Sequence, residues 1–228
     1  MKKFNWSPDN YRKYVEATNF PMLRQYGEQE IEFVKEVENP KSKTFIDVGA
    51  GYGRVLATLS DLARNVVAVE IDDSMFKDLE EKVTEIPNLQ IIRGDANKLS
   101  ELLSGYELIN PVLLCLQNSI GPWIGDWKVG LEQMRKVAEA SKGEIILSSF
   151  KQEAFSEFAI DMYTSAAKLV GEPDIDKCDS EKGVYVSKTG YTSKWFTKGE
   201  RQEMKQILGG TLVREVSDKP FFIFHIKY

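Results

Sequence analysis

The sequence predicts an α/β fold built on a mostly parallel sheet, and three observations predict it. Short apolar runs alternate with helical patterns through the middle of the chain, as βαβ units do. A glycine-rich turn joins the first of those runs to a helical pattern. Near the end, Asp218-Lys219-Pro220 links two further β-type runs, too short a link for a parallel crossover, so that last pair is antiparallel. Composition agrees: 228 residues with 42% apolar and 29% charged side chains suit one soluble globular domain with a modest insertion.

In order, the pattern gives strands at 44–48, 66–71, 89–93, 112–117 and 144–150, with helices at about 53–64, 74–85, 97–103 and 127–141. After the fifth strand, 151 to about 169 reads as helical, and 183–196 reads as two β-rich arms around Thr189-Gly190. A helix at 198–208 stops at Gly209-Gly210, and strands at 212–216 and 221–227 follow. This divides the chain into a helical lid (1–40), a ligand-binding core (41–150), an inserted lid or substrate segment (151–196) and a closing helix with an antiparallel strand pair (197–228).

Several function classes are disfavoured. No apolar run is long enough to span a bilayer and the first residues lack a signal-peptide core, so a cytoplasmic protein without a membrane partner is expected. Cys115 and Cys178 stand far apart without a Cys-x-x-Cys or histidine neighbour, so neither a disulfide framework nor a metal site is expected. With 30 basic against 35 acidic residues, a nucleic-acid partner is not expected. The sole histidine, His225, sits in a largely apolar closing strand and reads as structural.

The glycine turn, Asp47-Val48-Gly49-Ala50-Gly51-Tyr52-Gly53, selects among ligands. A Walker loop needs a lysine and a spacing that are absent, and a dinucleotide loop needs its third glycine one residue later. Asp47, at the strand's end, repels a pyrophosphate and favours a cation. A ligand with an ammonium group and a nucleoside but no phosphate satisfies both features, and S-adenosylmethionine is one. Glu70 closes the second strand roughly twenty residues on, where such a sheet places a carboxylate for ribose hydroxyls. Asp95 and Ala96 follow the third strand, placed to meet adenine. Asp95 is equally suited to capping a helix, and Asp72 or Asp73 reads as a cap alone.

Phe-Ile-Asp-Val-Gly-Ala-Gly-Tyr-Gly, Val-Val-Ala-Val-Glu-Ile-Asp and Gly-Asp-Ala resemble the first three motifs of the class I S-adenosylmethionine-dependent methyltransferases. That resemblance implies a Rossmann-like, seven-stranded, mostly parallel sheet with its last strand antiparallel and helices on both faces. It implies that Asp47, Gly49, Ala50, Gly51 and Gly53 face the methionine part, Glu70 and Ile71 the ribose, and Asp95 with Ala96 the adenine. S-adenosylhomocysteine would be the product. Gln117, Asn118 and Ser119 would border the methyl group and its acceptor, with Asn118 and Tyr14 as catalytic candidates. Tyr14 and Arg24 are suggested for the methionine carboxylate, as in similar enzymes.

Leu-Gln-Asn-Ser-Ile-Gly (116–121) is similar to the small-molecule branch, which includes glycine and sarcosine N-methyltransferases, although Gln117 stands where that group has glycine. The Asn/Asp-Pro-Pro-Tyr/Phe sequence of amine-methylating enzymes acting on bases is missing, since Asn110-Pro111 comes too early. Cys115, inside an apolar strand, is a poor nucleophile candidate. Trp123, Trp127, Trp195 and Phe196 could wall an acceptor pocket or pack the core. Tyr185 and Tyr191 are further candidate bases. Lys194, Lys198, Arg201 and Lys205 could meet an anion, but the interleaved Glu200 and Glu203 make a solvated face the default. The expectation is methyl transfer to nitrogen or oxygen of a small molecule by a monomer or homodimer, with RNA or protein methylation, or nucleoside binding without catalysis, as alternatives.

Overall fold

The computed structural model describes residues 7–16, 20–123 and 127–228, except for the side chains of Tyr14 and Glu16. Helices α1 (Pro8–Glu16) and α2 (Pro21–Lys35) lead into β1 (Thr44–Val48), α3 (Leu56–Leu62), β2 (Asn65–Glu70), α4 (Asp73–Val83) and β3 (Leu89–Arg93). Then come α5 (Leu99–Leu102), β4 (Val112–Cys115), α6 (Trp127–Ala140) and β5 (Glu144–Phe150). The inserted segment holds α7 (Ile160–Ser165), α8 (Ala167–Val170) and a hairpin of β6 (Val184–Val186) and β7 (Thr192–Lys194). Helix α9 (Lys198–Leu208) and strands β8 (Thr211–Val216) and β9 (Phe221–Lys227) complete the order.

Seven strands form one sheet in the order β3-β2-β1-β4-β5-β9-β8. The first five run parallel, and β9 is antiparallel to both β5 and β8, as the resemblance implies. Alternation along each strand divides the core. Phe45, Val66, Ala68 and Leu114 face one layer, with α2 and the insertion, while Ile46, Val67, Leu113 and Phe224 face the other, with α6 and α9. Burial on both faces explains why these strands read as continuous apolar runs. The chain travels outward from β1 to β3 and returns to β4 beside β1, so the glycine turn lies at the switch point, where ligands bind in open sheets of this kind.

Three departures from the sequence pattern have physical causes. Strand β4 stops at Cys115 because Gln117 and Asn118 have φ of 51° and 59°, left-handed values that end an extended run. Helix α3 starts only at Leu56 because Gly49, Gly51 and Gly53 all have positive φ. The expected helix over 151–169 is broken instead: a π-helical stretch at Phe155–Ala159 precedes α7, and the chain interrupts again at Ala166.

Gly53 has φ of 76°, and a Cβ there would lie 2.7 Å from Leu56 and 2.9 Å from Leu79. Gly53→Ala should therefore cost about 1–3 kcal/mol, read as a lower urea midpoint with an unchanged slope; an unchanged midpoint would show that the turn relaxes freely.

His225 is buried at the opposite end of the sheet from the glycine turn, with Nε2 2.6 Å from Glu144 Oε2, and Lys43 pairs with the same carboxylate. Burial alone would raise the Glu144 carboxyl, but His225 and Lys43 hold it down at about 2. This histidine is structural, as its strand suggested.

Candidate active site

The carboxyl ends of β1 to β5 open into a cavity of about 480 Å³, within the usual range for small-ligand sites. Gly49, Gly51, Glu70, Ile71, Asp95, Ala96, Gln117 and Asn118 all line it. Helix α1 lies over its mouth: Tyr11 and Val15 line the cavity, and Arg12 binds Asp78 of α4 at 3.0 Å. Helix α2 behaves differently from a lid. Its stripe of Leu23, Tyr26, Phe33 and Val34 is buried in the core, and of these residues only Leu23 reaches the cavity wall.

Glu70 ties the glycine turn to the end of β2. Its Oε2 accepts from the Gly51 amide at 2.7 Å, and its Oε1 accepts from the amides of Ile71 and Asp72, each at 2.8 Å. Desolvation nevertheless raises its carboxyl above the ordinary value. Oε1 is filled by its two amides, and Oε2 keeps one acceptor site. Asp72 caps α4 by accepting from the amides of Ser74 and Met75. Asp95 accepts from the Asn97 amide at 2.9 Å, the capping its sequence allowed, and it also lines the cavity with Gly94 and Ala96.

Asp47 and Ala50 line an adjoining recess of about 40 Å³ rather than the main cavity, and the two spaces share Tyr11, Gly49, Gly51, Gln117 and Ser119. Asp47 is buried with no hydrogen-bond partner for its carboxylate among the described residues. Burial pushes its pKa up to about 7, with Arg54 opposing the shift and Glu70 and Glu30 adding to it. Arg54 lines the same recess. A carboxylate and a guanidinium lining one recess are complementary in charge to a ligand end that carries an ammonium and a carboxylate together, as the methionine end of S-adenosylmethionine does.

Two expected residues stand apart. Arg24 faces outward from α2, with 67% of its side chain exposed, and pairs with Glu28 at 2.9 Å; it reaches neither the cavity nor the recess. This corrects the expectation that Arg24 meets the methionine carboxylate, and the cause is helix phase, since Arg24 lies off the buried stripe. Tyr14 lies in α1, but its side chain is outside the described residues. Gly53 supports the turn from below, against Leu56 and Leu79, without lining either space.

The other candidates separate cleanly. Trp123 and Tyr191 line the cavity. Trp195 is buried, stacked on Phe150 with centroids 4.5 Å apart, and Trp127 packs edge-on against Phe196, so these three pack the core. Tyr185 is spent against Tyr163, 3.9 Å between centroids. Cys115 is fully buried and its thiol is pushed up by burial. Lys194, Arg201 and Lys205 pair with Glu200, Glu153 and Glu215; all three are largely covered, so the face is less solvated than the interleaved glutamates suggest.

A buried network unforeseen from the sequence holds the loop after β4. Glu30 of α2 is fully buried; its Oε1 accepts from the Gln117 amide at 2.5 Å and from the Ser148 hydroxyl, and its Oε2 pairs with Arg54. The Tyr26 hydroxyl donates to Ser148 at 2.9 Å and accepts from the Asn118 amide at 3.2 Å. Both left-handed residues are thus pinned through their amides. The Asn118 side chain is also committed: Nδ2 donates to Ser193 at 2.9 Å, and Oδ1 accepts from Ser149.

A model of the ribosomal RNA adenine dimethylase family matches residues 3–110. The rRNA methyltransferase of Streptomyces thermotolerans is 32% identical over 90 residues, 40% of this chain and 29% of its own. The ribosomal RNA small subunit methyltransferase A of Thermotoga petrophila is 24% identical over 153 residues, 63% of this chain and 58% of its own. The chain therefore spans less than two thirds of these relatives. The crystal structure of a SAM-dependent methyltransferase from Aquifex aeolicus superposes with a TM-score of 0.58 at 16% identity, covering 98% of this chain and 99% of that one. The fold is that of the class I S-adenosylmethionine-dependent methyltransferases.

Proposed function

We propose that this protein is an S-adenosylmethionine-dependent methyltransferase acting on nitrogen or oxygen of a small molecule. The observation that carries the reading is the convergence of Asp47, Glu70 and Asp95, at the ends of three adjacent strands, on a cavity and the recess adjoining it beside a positive-φ glycine turn. In this reading Asp47 pairs with the ammonium and Arg54 meets the carboxylate. Glu70 accepts from the ribose, and Asp95 with the Ala96 amide reads the adenine. When bound, S-adenosylmethionine supplies an electrophilic methyl group together with its own leaving group. The chain's task is then mainly positioning, and Gln117 and Asn118 border the acceptor from a pinned loop. A small acceptor is supported by the cover that α1, α8 and the β6–β7 hairpin provide, and by the acidic balance of the chain.

The second reading, methylation of an RNA adenine, is favoured by the match to the ribosomal RNA adenine dimethylase family. That match ends at residue 110, before the Gln117–Trp123 loop that borders the acceptor side of the cavity.

The test has two stages. Calorimetric titration should give tight binding of S-adenosylmethionine and S-adenosylhomocysteine but none of NAD, with at least a tenfold loss in Glu70→Ala; absent adenosyl binding would overturn the cofactor reading. Transfer of labelled methyl to small amines and hydroxy compounds, run beside ribosomal RNA, then separates the acceptors, and exclusive labelling of RNA would select the second reading.

A further inference from the structure

We infer that the methyl acceptor is an uncharged, largely apolar ring compound that presents a single amine or hydroxyl; the inference rests on the methyltransferase reading. The cavity divides along the strand order. Over the ends of β1, β2 and β3 lie all of its charged lining side chains among the described residues, Glu70, Asp72 and Asp95. Much of the remaining wall, Leu23, Phe150, Met162, Tyr163, Val170 and Tyr191, is apolar or aromatic surface contributed by α2, β5 and the insertion.

Several polar atoms beside that wall are bonded to one another. The Tyr163 hydroxyl donates to Ser193 at 2.7 Å and accepts from the Trp195 indole at 3.2 Å. Ser193 in turn accepts from Asn118 Nδ2, and Asn118 Oδ1 accepts from Ser149. A charged acceptor entering here would lose its hydration without gaining an ionic partner among the described residues. An uncharged ring would instead bury its faces against aromatic side chains. What remains for recognition is a few uncharged polar groups of the lining, the Gln117 and Asn118 amides and the Ser119 and Thr192 hydroxyls among them, enough to orient one heteroatom. Zwitterionic amino acids such as glycine or sarcosine fit poorly, because the acceptor half offers their carboxylate no cation among the described residues.

Matched pairs decide the matter by saturation-transfer NMR on the protein loaded with S-adenosylhomocysteine: indole against tryptophan, and p-cresol against 4-hydroxybenzoate. The uncharged member of each pair is expected to bind at least tenfold tighter, and Leu169→Lys, which supplies the missing cation, is expected to abolish that preference. Leu169 lines the cavity while only partly buried, and Thr192→Lys, at an exposed lining position, serves if the first variant does not fold. Equal or tighter binding of the charged members, preference unchanged in both variants, or displacement only by an adenine-bearing RNA hairpin would overturn the inference. Failure of the protein to take up S-adenosylhomocysteine would instead overturn the cofactor reading, and the same pairs titrated into the unloaded cavity would still decide the inference.

Discussion

Asp47→Asn is expected to stabilise the ligand-free protein at pH 8 while weakening S-adenosylmethionine binding by a factor of 100 or more. The carboxyl is buried and its pKa rises from 3.8 in the unfolded chain to about 7 in the folded one. Between those values the unfolded chain has released the proton and the folded chain keeps it, so stability falls as pH rises from about 4 to about 7 and is flat above. Three pKa units correspond to about 4 kcal/mol, an upper bound on what the substitution returns, since a buried amide carries its own desolvation cost. The ligand's ammonium should reverse this by pairing with the ionised carboxylate. Affinity should then rise about tenfold per pH unit up to pH 7, and binding near neutrality should release a proton, visible as heats that vary with the ionisation enthalpy of the buffer. Denaturant unfolding and calorimetry across pH 5–8 check all three, and equal affinity in the variant would remove Asp47 from the ammonium site.

Glu30→Ala is expected to cost about 3–5 kcal/mol, because it leaves the buried Arg54 guanidinium unpaired and strips an acceptor from the Gln117 amide and the Ser148 hydroxyl. Glu30→Gln separates stability from positioning. The amide oxygen can still accept from one of those donors but cannot neutralise Arg54, so the variant should fold with a smaller loss. Its methyl-transfer rate at saturating cofactor should fall about 100-fold, the order expected when a reacting group shifts by about an ångström, while KM for the acceptor changes far less. Equal losses in melting temperature and unchanged turnover would mean that Glu30 supports the fold alone.

The sheet was legible because parallel strands buried on both faces give unmistakable apolar runs, and the closing pair because a three-residue link permits one geometry. Gly49, Gly51, Glu70, Asp95 and Ala96 were legible for a related reason: each sits at a strand end, where strand pattern and chemistry coincide. Arg24 failed because composition places an arginine on a helix without saying which face it occupies. Glu30 and Tyr26 escaped notice although a signal existed. They are four residues apart and share the stripe of Phe33 and Val34, so a glutamate there lies on a face that should have been apolar. The left-handed turn at Gln117 and Asn118 carries a weak sequence signal, since asparagine tolerates positive φ but glutamine does not favour it; the amide acceptors supplied from α2 and β5 help to hold it.

Those acceptors come from far along the chain. Tyr26 and Ser148 are 122 residues apart, Glu30 and Ser148 118, and Glu30 and Gln117 87. Contacts of such separation form late, since the intervening chain must close before they contribute. The loop beside the acceptor should thus take shape after the sheet's main rate-limiting step. Ligands that grip this loop should therefore slow unfolding while leaving the folding rate nearly untouched, so that occupancy would be read in how long the native state persists and hardly at all in how quickly it is reached.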